Sequence, residues 1–242
     1  MRRLATLLVG LLVLLGGVGL SQAGIVVQAT FTGDNVVQAF YKDGSAPVAI
    51  DLAGLPNLDN WRISDTKTLT LDWGKQYQFI FRVFNNLELG LTYGDPGNPA
   101  GFLAEIEGPG VSFLTSSSWK YALDDGTTPS NFDTDLIWAD AVEWGYLTTH
   151  PHQGGDSHNG GNNIWGNANG TIAGISTSAH WIWGVDNGED LGTPANPNPE
   201  NWLWLKGTIT TPIPEPCSLI VWSLIGGFGI GGAWLRRKKR AV

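Results

Sequence analysis

The sequence predicts an all-β protein: a single antiparallel β-sandwich, jelly-roll-like, set between an N-terminal signal peptide and a C-terminal transmembrane helix. Three observations predict it. Apolar and polar residues alternate with period two in several runs, the spacing of a half-buried strand. Those runs are separated by turns drawn from 33 glycines and 13 prolines in 242 residues. The two ends carry long apolar stretches that the middle lacks.

Residues 1–23 read as the signal peptide. Met1-Arg2-Arg3 is a basic start, 4–20 is apolar, and Ser21-Gln22-Ala23 supplies small residues for signal peptidase, with cleavage expected after Ala23. A retained membrane anchor is the alternative. From Gly24 to Thr211 the chain reads as one extracytoplasmic domain. Runs 25–31 and 36–41 are strands joined by Thr32-Gly33-Asp34-Asn35, which has the composition of a tight turn. Leu69 and Leu71 alternate with threonines. Tyr77, Phe79, Phe81 and Val83 alternate with polar residues, and Trp73-Gly74-Lys75 between these two runs suggests a hairpin. Further strands are expected over 102–107, 171–175, 179–183 and 202–209. Residues 133–144 have helical spacing, with Asp133 as the cap of Leu136, Ile137, Ala141 and Trp144. Two polar loops, 150–170 and 184–201, interrupt the strands and are longer than structural connections usually are.

The C-terminal 31 residues, 212–242, have three parts in order. Pro214-Glu215-Pro216 comes first, an apolar segment 218–235 follows, and Arg236-Arg237-Lys238-Lys239-Arg240 closes it. Eighteen residues of helix extend about 27 Å, close to the ~30 Å hydrocarbon core of a bilayer. The cations hold that end on the cytoplasmic side, so 24–216 lie outside, the orientation a signal peptide also demands. This arrangement resembles the PEP-CTERM sorting signal of Gram-negative bacteria. The resemblance implies handling by the membrane enzyme exosortase, export across the inner membrane, and a cell-surface or extracellular-matrix location in an exopolysaccharide setting. It covers about an eighth of the chain. Cys217 stands where such signals more often carry Ser, Thr or Ala; a thiol there could take a lipid or join another chain, or serve as a small residue only.

Charge and composition exclude several classes. The whole chain carries −8, and removing 1–23 and 212–242 leaves seven cations and 21 acids, a net −14. Such a field repels nucleic acid and other anionic polymers. One cysteine permits no internal disulfide, no thiolate zinc site and no iron–sulfur cluster. No zinc-protease helix, Gly-x-Ser-x-Gly elbow or phosphate loop appears. Glu105 and Glu107 lie two apart and share one strand face, whereas glycosidase carboxylates flank the substrate from opposite sides. The expectation is a non-catalytic surface or matrix protein with exopolysaccharide as candidate ligand and no cofactor. The competing reading is a secreted polysaccharide-active enzyme with a carboxylate pair.

Twelve tryptophans are the main chemical clue. Trp181 with Trp183, and Trp202 with Trp204, each place two indoles on one strand face, where they either stack on sugar rings or fill the space between sheets. Trp165, in a loop of asparagines, is the expected exposed indole. His150, His152 and His158, with Asp156 among them, have spacing that could chelate zinc or copper. Residues 33–44 resemble a hairpin of lectin-like sandwich adhesins of the flocculin type, in which an acidic pair holds calcium and sugar. The resemblance makes Asp34 a candidate calcium ligand, although Asn35 replaces the second acid. Turn formation is the competing role for Asp34, as it is for Asp124 and Asp125.

Overall fold

The computed structural model describes residues 24–85, 100–146, 151–153, 156–163, 165, 170–185, 192–193, 196–197 and 201–213. The predicted signal peptide, Pro214-Glu215-Pro216, the 218–235 segment, Cys217, the basic cluster and His150 lie outside the described residues. All fifteen named elements are strands: β1 Ile25–Gly33, β2 Val36–Lys42, β3 Val48–Ala49, β4 Asp65–Leu71, β5 Gln76–Phe84, β6 Phe102–Gly108, β7 Val111–Leu114, β8 Lys120–Leu123, β9 Ala139–Asp140, β10 Val142–Tyr146, β11 Pro151–Gln153, β12 Ile182–Trp183, β13 Gly192–Thr193, β14 Asn196–Pro197 and β15 Trp202–Thr210.

They form two antiparallel sheets and a small separate ribbon, β13–β14. Sheet I runs β11-β10-β12-β6-β1-β4, with β7 also paired to β6, and sheet II runs β3-β2-β5-β15-β8-β9. The inner faces share one core. Ile25, Val27, Ala29 and Phe31 of β1 and Phe102, Ala104 and Ile106 of β6 meet Phe79, Phe81 and Val83 of β5 and Leu203, Leu205 and Ile209 of β15. Phe81 lies at the centre, its ring 5.1 Å from Phe31 and 4.9 Å from Phe102. The period-two alternation of β5 and β15 turns one set of side chains to this core and the other outward.

The tight turn expected at 32–35 and the hairpin expected at 73–75 are both arches between the sheets. β1 joins sheet I and β2 joins sheet II; β4 and β5 are divided in the same way. Local turn chemistry is satisfied in both cases, but the following strand pairs across the fold: β5 accepts both β2 and β15 as neighbours. True hairpins are closed by residues 43–47, between β2 and β3, and by Gly108-Pro109-Gly110, between β6 and β7, where Gly110 has a φ of +72° that glycine alone adopts without strain. Residues 133–144 are not a helix. The apolar residues that suggested one are dispersed: Ile137 is 94% exposed, Leu136 packs on the outer face of sheet II, Ala141 joins the inner core, and Trp144 lies in β10. Residues 171–175 form no strand, and of 179–183 only 182–183 is one.

Both outer faces are covered in part. On sheet II the strap 124–138 lays Phe132, Leu136 and Trp138 over Phe40, Ile80, Ala122 and Trp204. On sheet I the segment 156–181 packs Trp165, Ile172, Ile175 and Trp181 over Leu103, with Trp61, Leu114 and Trp144 at the margin. The chain enters and leaves this body at one end. Gly24 abuts the backbone of Leu71, and Thr211 Oγ1 donates to Asp72 O at 2.8 Å.

Candidate functional site

The sugar-stacking expectation is largely overturned by burial. Trp181, Trp183 and Trp204 are fully buried and Trp165 is 2% exposed. Trp165 is the clearest reversal. Its ring stacks on Trp181 at 4.9 Å and 15°, and Gly101 beneath the pair is a close approach, since a Cβ there would sit 2.8 Å from Trp165. A polar sequence neighbourhood does not predict exposure when the segment is an outer layer of the core. Trp181 and Trp183 serve different cores, the former on the outer face of sheet I and the latter between the sheets.

Trp202, 38% exposed, is the one indole of the five that presents substantial surface. Its position is rigidly built. The ring stacks on Phe84, directly across from it in the β15–β5 register, with centroids 4.3 Å apart and planes 9° apart. The Arg82 guanidinium lies 5.2 Å from the Trp202 ring and 5.6 Å from that of Trp204. Arg82 Nε donates to Asp124 Oδ2 at 2.6 Å, and Trp204 Nε1 donates to the other oxygen at 3.2 Å. Asp124 also accepts from Gly126 N at 3.0 Å, the turn role expected of it, and is thus a buried carboxylate shared by a cation, an indole and a turn N–H.

A cavity of about 440 Å³ opens beside the strap of sheet II, lined by Tyr121, Leu123, Asp125, Asp135, Leu136, Ile137 and Ala139. It is an open, largely apolar recess with two carboxylates at its wall. Asp125 accepts from the N–H and hydroxyl of Thr127, and Asp135 from Ser130 Oγ at 2.9 Å and Asn131 N at 2.8 Å. These bonds push both carboxyls below the ordinary carboxylate range. Glu105 is engaged elsewhere, accepting from Ser176 N at 2.7 Å.

Of the expected histidine group, His150 lies outside the described residues, and His158 faces His180 across an isolated antiparallel bridge, with ring centroids 4.0 Å apart. His158 Nδ1 is 3.1 Å from Asp156 Oδ1; His180 Nδ1 is 3.2 Å from Glu143 Oε2 and 2.7 Å from Ser157 Oγ. Ser157, His180 and Glu143 are not a nucleophilic triad, because hydroxyl and carboxylate meet the same ring nitrogen. Burial lowers the His180 pKa and the neighbouring His158 lowers it further, against the pull of Glu143. His152 sits in register opposite Gly145 on β10. Asp34 is buried on the arch between β1 and β2, its N–H donating to Gly101 O at 3.2 Å. Among the described residues, no three His, Cys, Asp or Glu side chains converge on a metal position. Sequence reasoning missed His180 and Glu143, since neither lies near the polar loop and only strand pairing brings them to it.

These features define an all-β protein of two packed antiparallel sheets with a covered layer on each outer face. Comparison with protein-family models, curated proteins and solved structures returns no match for this chain.

Proposed function

We propose that the protein is an exported, non-catalytic component of the cell surface or extracellular matrix, released by signal peptidase after Ala23 and processed at its tail by an exosortase. The observation that carries this reading is the ordered tail, Pro214-Glu215-Pro216, then 218–235, then five cations, paired with a signal peptide that demands the same orientation. The body adds a compatible feature. Gly24 and Thr211 sit against adjacent residues, Leu71 and Asp72, so both export signals attach at one pole and the opposite pole is free to face outward. The finer description of that body is a jelly-roll-like sandwich, supported by the way successive strands alternate between sheets. Exopolysaccharide is its candidate ligand, the contact falling to Trp202 at the pole away from the tail, and the net −14 favours neutral glycans.

Expression with and without 212–242 tests the sorting reading. The full chain should fractionate with the envelope or matrix, and the truncated chain should be lost to the medium or periplasm. An unchanged location on truncation overturns it. Affinity electrophoresis in glycan-containing gels tests the ligand separately, with Trp202→Ala as the informative variant; unretarded migration in every glycan reduces the protein to a structural component.

A further inference from the structure

We infer that β4 is the contact edge for a second copy of this chain, the two β4 strands pairing antiparallel about a two-fold axis at Thr68. A strand at the end of a sheet leaves a row of backbone N–H and C=O groups unpaired, a template that proteins usually blunt. The other edges of the two sheets are blunted by length: β3 and β9 have two residues, β11 three and β7 four. β11 also begins on a proline. β4 has seven residues, no glycine or proline, and an unbroken register against β1 from Asp65 to Leu71. Among the described residues, no backbone group of 66–71 has a partner outside the β1 ladder.

The strand's own sequence selects a second copy as the occupant. A two-fold axis perpendicular to the sheet keeps both outer faces on one side and makes the contact self-complementary. Centred on Thr68, it sets Thr68 beside the partner's Thr68, Thr66 beside the partner's Thr70 and Lys67 beside the partner's Leu69. All seven residues then overlap. Thr66, Thr68 and Thr70 are exposed, and threonine pairs across neighbouring strands are favourable. Moving the axis to Lys67 opposes two ammonium groups, and moving it to Leu69 shortens the overlap. Charge agrees with the same choice. The body carries a net −14, yet 66–71 contains no acid and one lysine, and the Asp65 carboxylate is buried against Asn57. Two acidic bodies approach with least repulsion along such a stripe. Pairing there adds a strand to an open edge and joins sheet I of one copy to sheet I of the other.

The test follows the full-length protein in detergent by analytical sedimentation. The unaltered protein should sediment as a dimer. Thr68→Lys, which sets two ammonium groups across the axis, should return it to the monomer, whereas Thr210→Lys, exposed on sheet II, should leave the dimer intact. Cysteine pairs in a Cys217→Ser background read the register. Opposed Cβ atoms lie about 4.5–5.5 Å apart, close to the span of a disulfide. Thr68→Cys should therefore cross-link to its own copy on mild oxidation. Thr66→Cys should not, the same position in the partner lying about 13 Å away, but it should cross-link when mixed with Thr70→Cys. An independent measurement on the unaltered protein covers the case of a misfolded variant: amide exchange over 66–71 should be slow at high concentration and speed up on dilution, with exchange over β1 unchanged. A monomer at every concentration, a dimer that survives Thr68→Lys, cross-linking of Thr66→Cys alone as complete as that of Thr68→Cys, or exchange over 66–71 independent of concentration each overturns the assignment.

Discussion

The covers on the two outer faces solve the same problem with different chemistry. Each lays irregular chain over a sheet and must satisfy the backbone groups it buries. The sheet II strap does so with charge and large rings. Lys42, 5% exposed, donates to Asp133 Oδ2 at 2.7 Å, Lys206 lies 4.0 Å from the Trp138 ring, and Trp138 Nε1 donates to Phe132 O at 2.7 Å. The sheet I cover uses buried amides. Asn159 Nδ2 donates to Ile172 O at 3.1 Å and Ile175 O at 2.8 Å, while its Oδ1 accepts from Ile172 N at 2.7 Å. Asn163 Nδ2 donates to Asp156 O and His158 O at 2.8 and 3.0 Å. An asparagine carries donor and acceptor on one short arm, so it can close a chain segment that has no strand partner. The lesson is that a glycine- and asparagine-rich stretch can be structural without being regular.

The largest effects should come from the anchors. Phe132→Ala removes a fully buried ring that packs on Phe40 and Trp204, and should cost roughly 3–5 kcal/mol in urea denaturation. Asn159→Ala should cost about 2–4 kcal/mol by orphaning buried carbonyls and an N–H, and Asn159→Asp should cost at least as much despite its matching shape, because it loses the donor. If Asn159→Asp is neutral, the amide account of the sheet I cover fails. Lys42→Met should cost under about 1 kcal/mol, since Asp133 is 46% exposed and can return to water. At the pole where the chain enters and leaves, Lys75 bridges Asp43 and Asp72 in the open, and Asp43→Asn should leave the denaturation midpoint unchanged.

Acid should separate the two covers further. The Lys42 ammonium holds Asp133 below its ordinary value of 3.8. A depressed carboxyl contributes stability that is present above the ordinary value and lost as pH falls through the lowered one. Lys42→Met should therefore differ from the unaltered protein above about pH 4 and converge with it below. Asp156 is depressed mainly by the Asn162 N–H, so acid weakening of the sheet I cover should persist in that variant. Amide exchange resolved over 124–138 and 156–181 would read the two separately.

The long strands were legible because alternation reports directly on a face that must be buried: β1, β2, β5, β6 and β15 lie within one or two residues of their expected bounds. The destination of each strand was not. Thr32-Gly33-Asp34-Asn35 turns the chain sharply whether the next strand pairs beside it or in the opposite sheet. The indoles misled for a related reason. Trp204 does face outward from its sheet, as alternation predicts, but Phe132 from the strap covers it. His180 and Glu143 left no signal at all near His158, being separated from it by 22 and 15 residues and joined only by pairing.

By itself, the amino-acid order determined the all-β class, the main strands and the charge of the body, because these depend on residue type and local period. It also carries the two terminal signals, whose content is linear. Tertiary structure alone decided which sheet each strand joins, which indoles are buried, and which titratable groups meet. Those outcomes rest on contacts between distant segments, where packing against a shared core outweighs the preference of any single stretch.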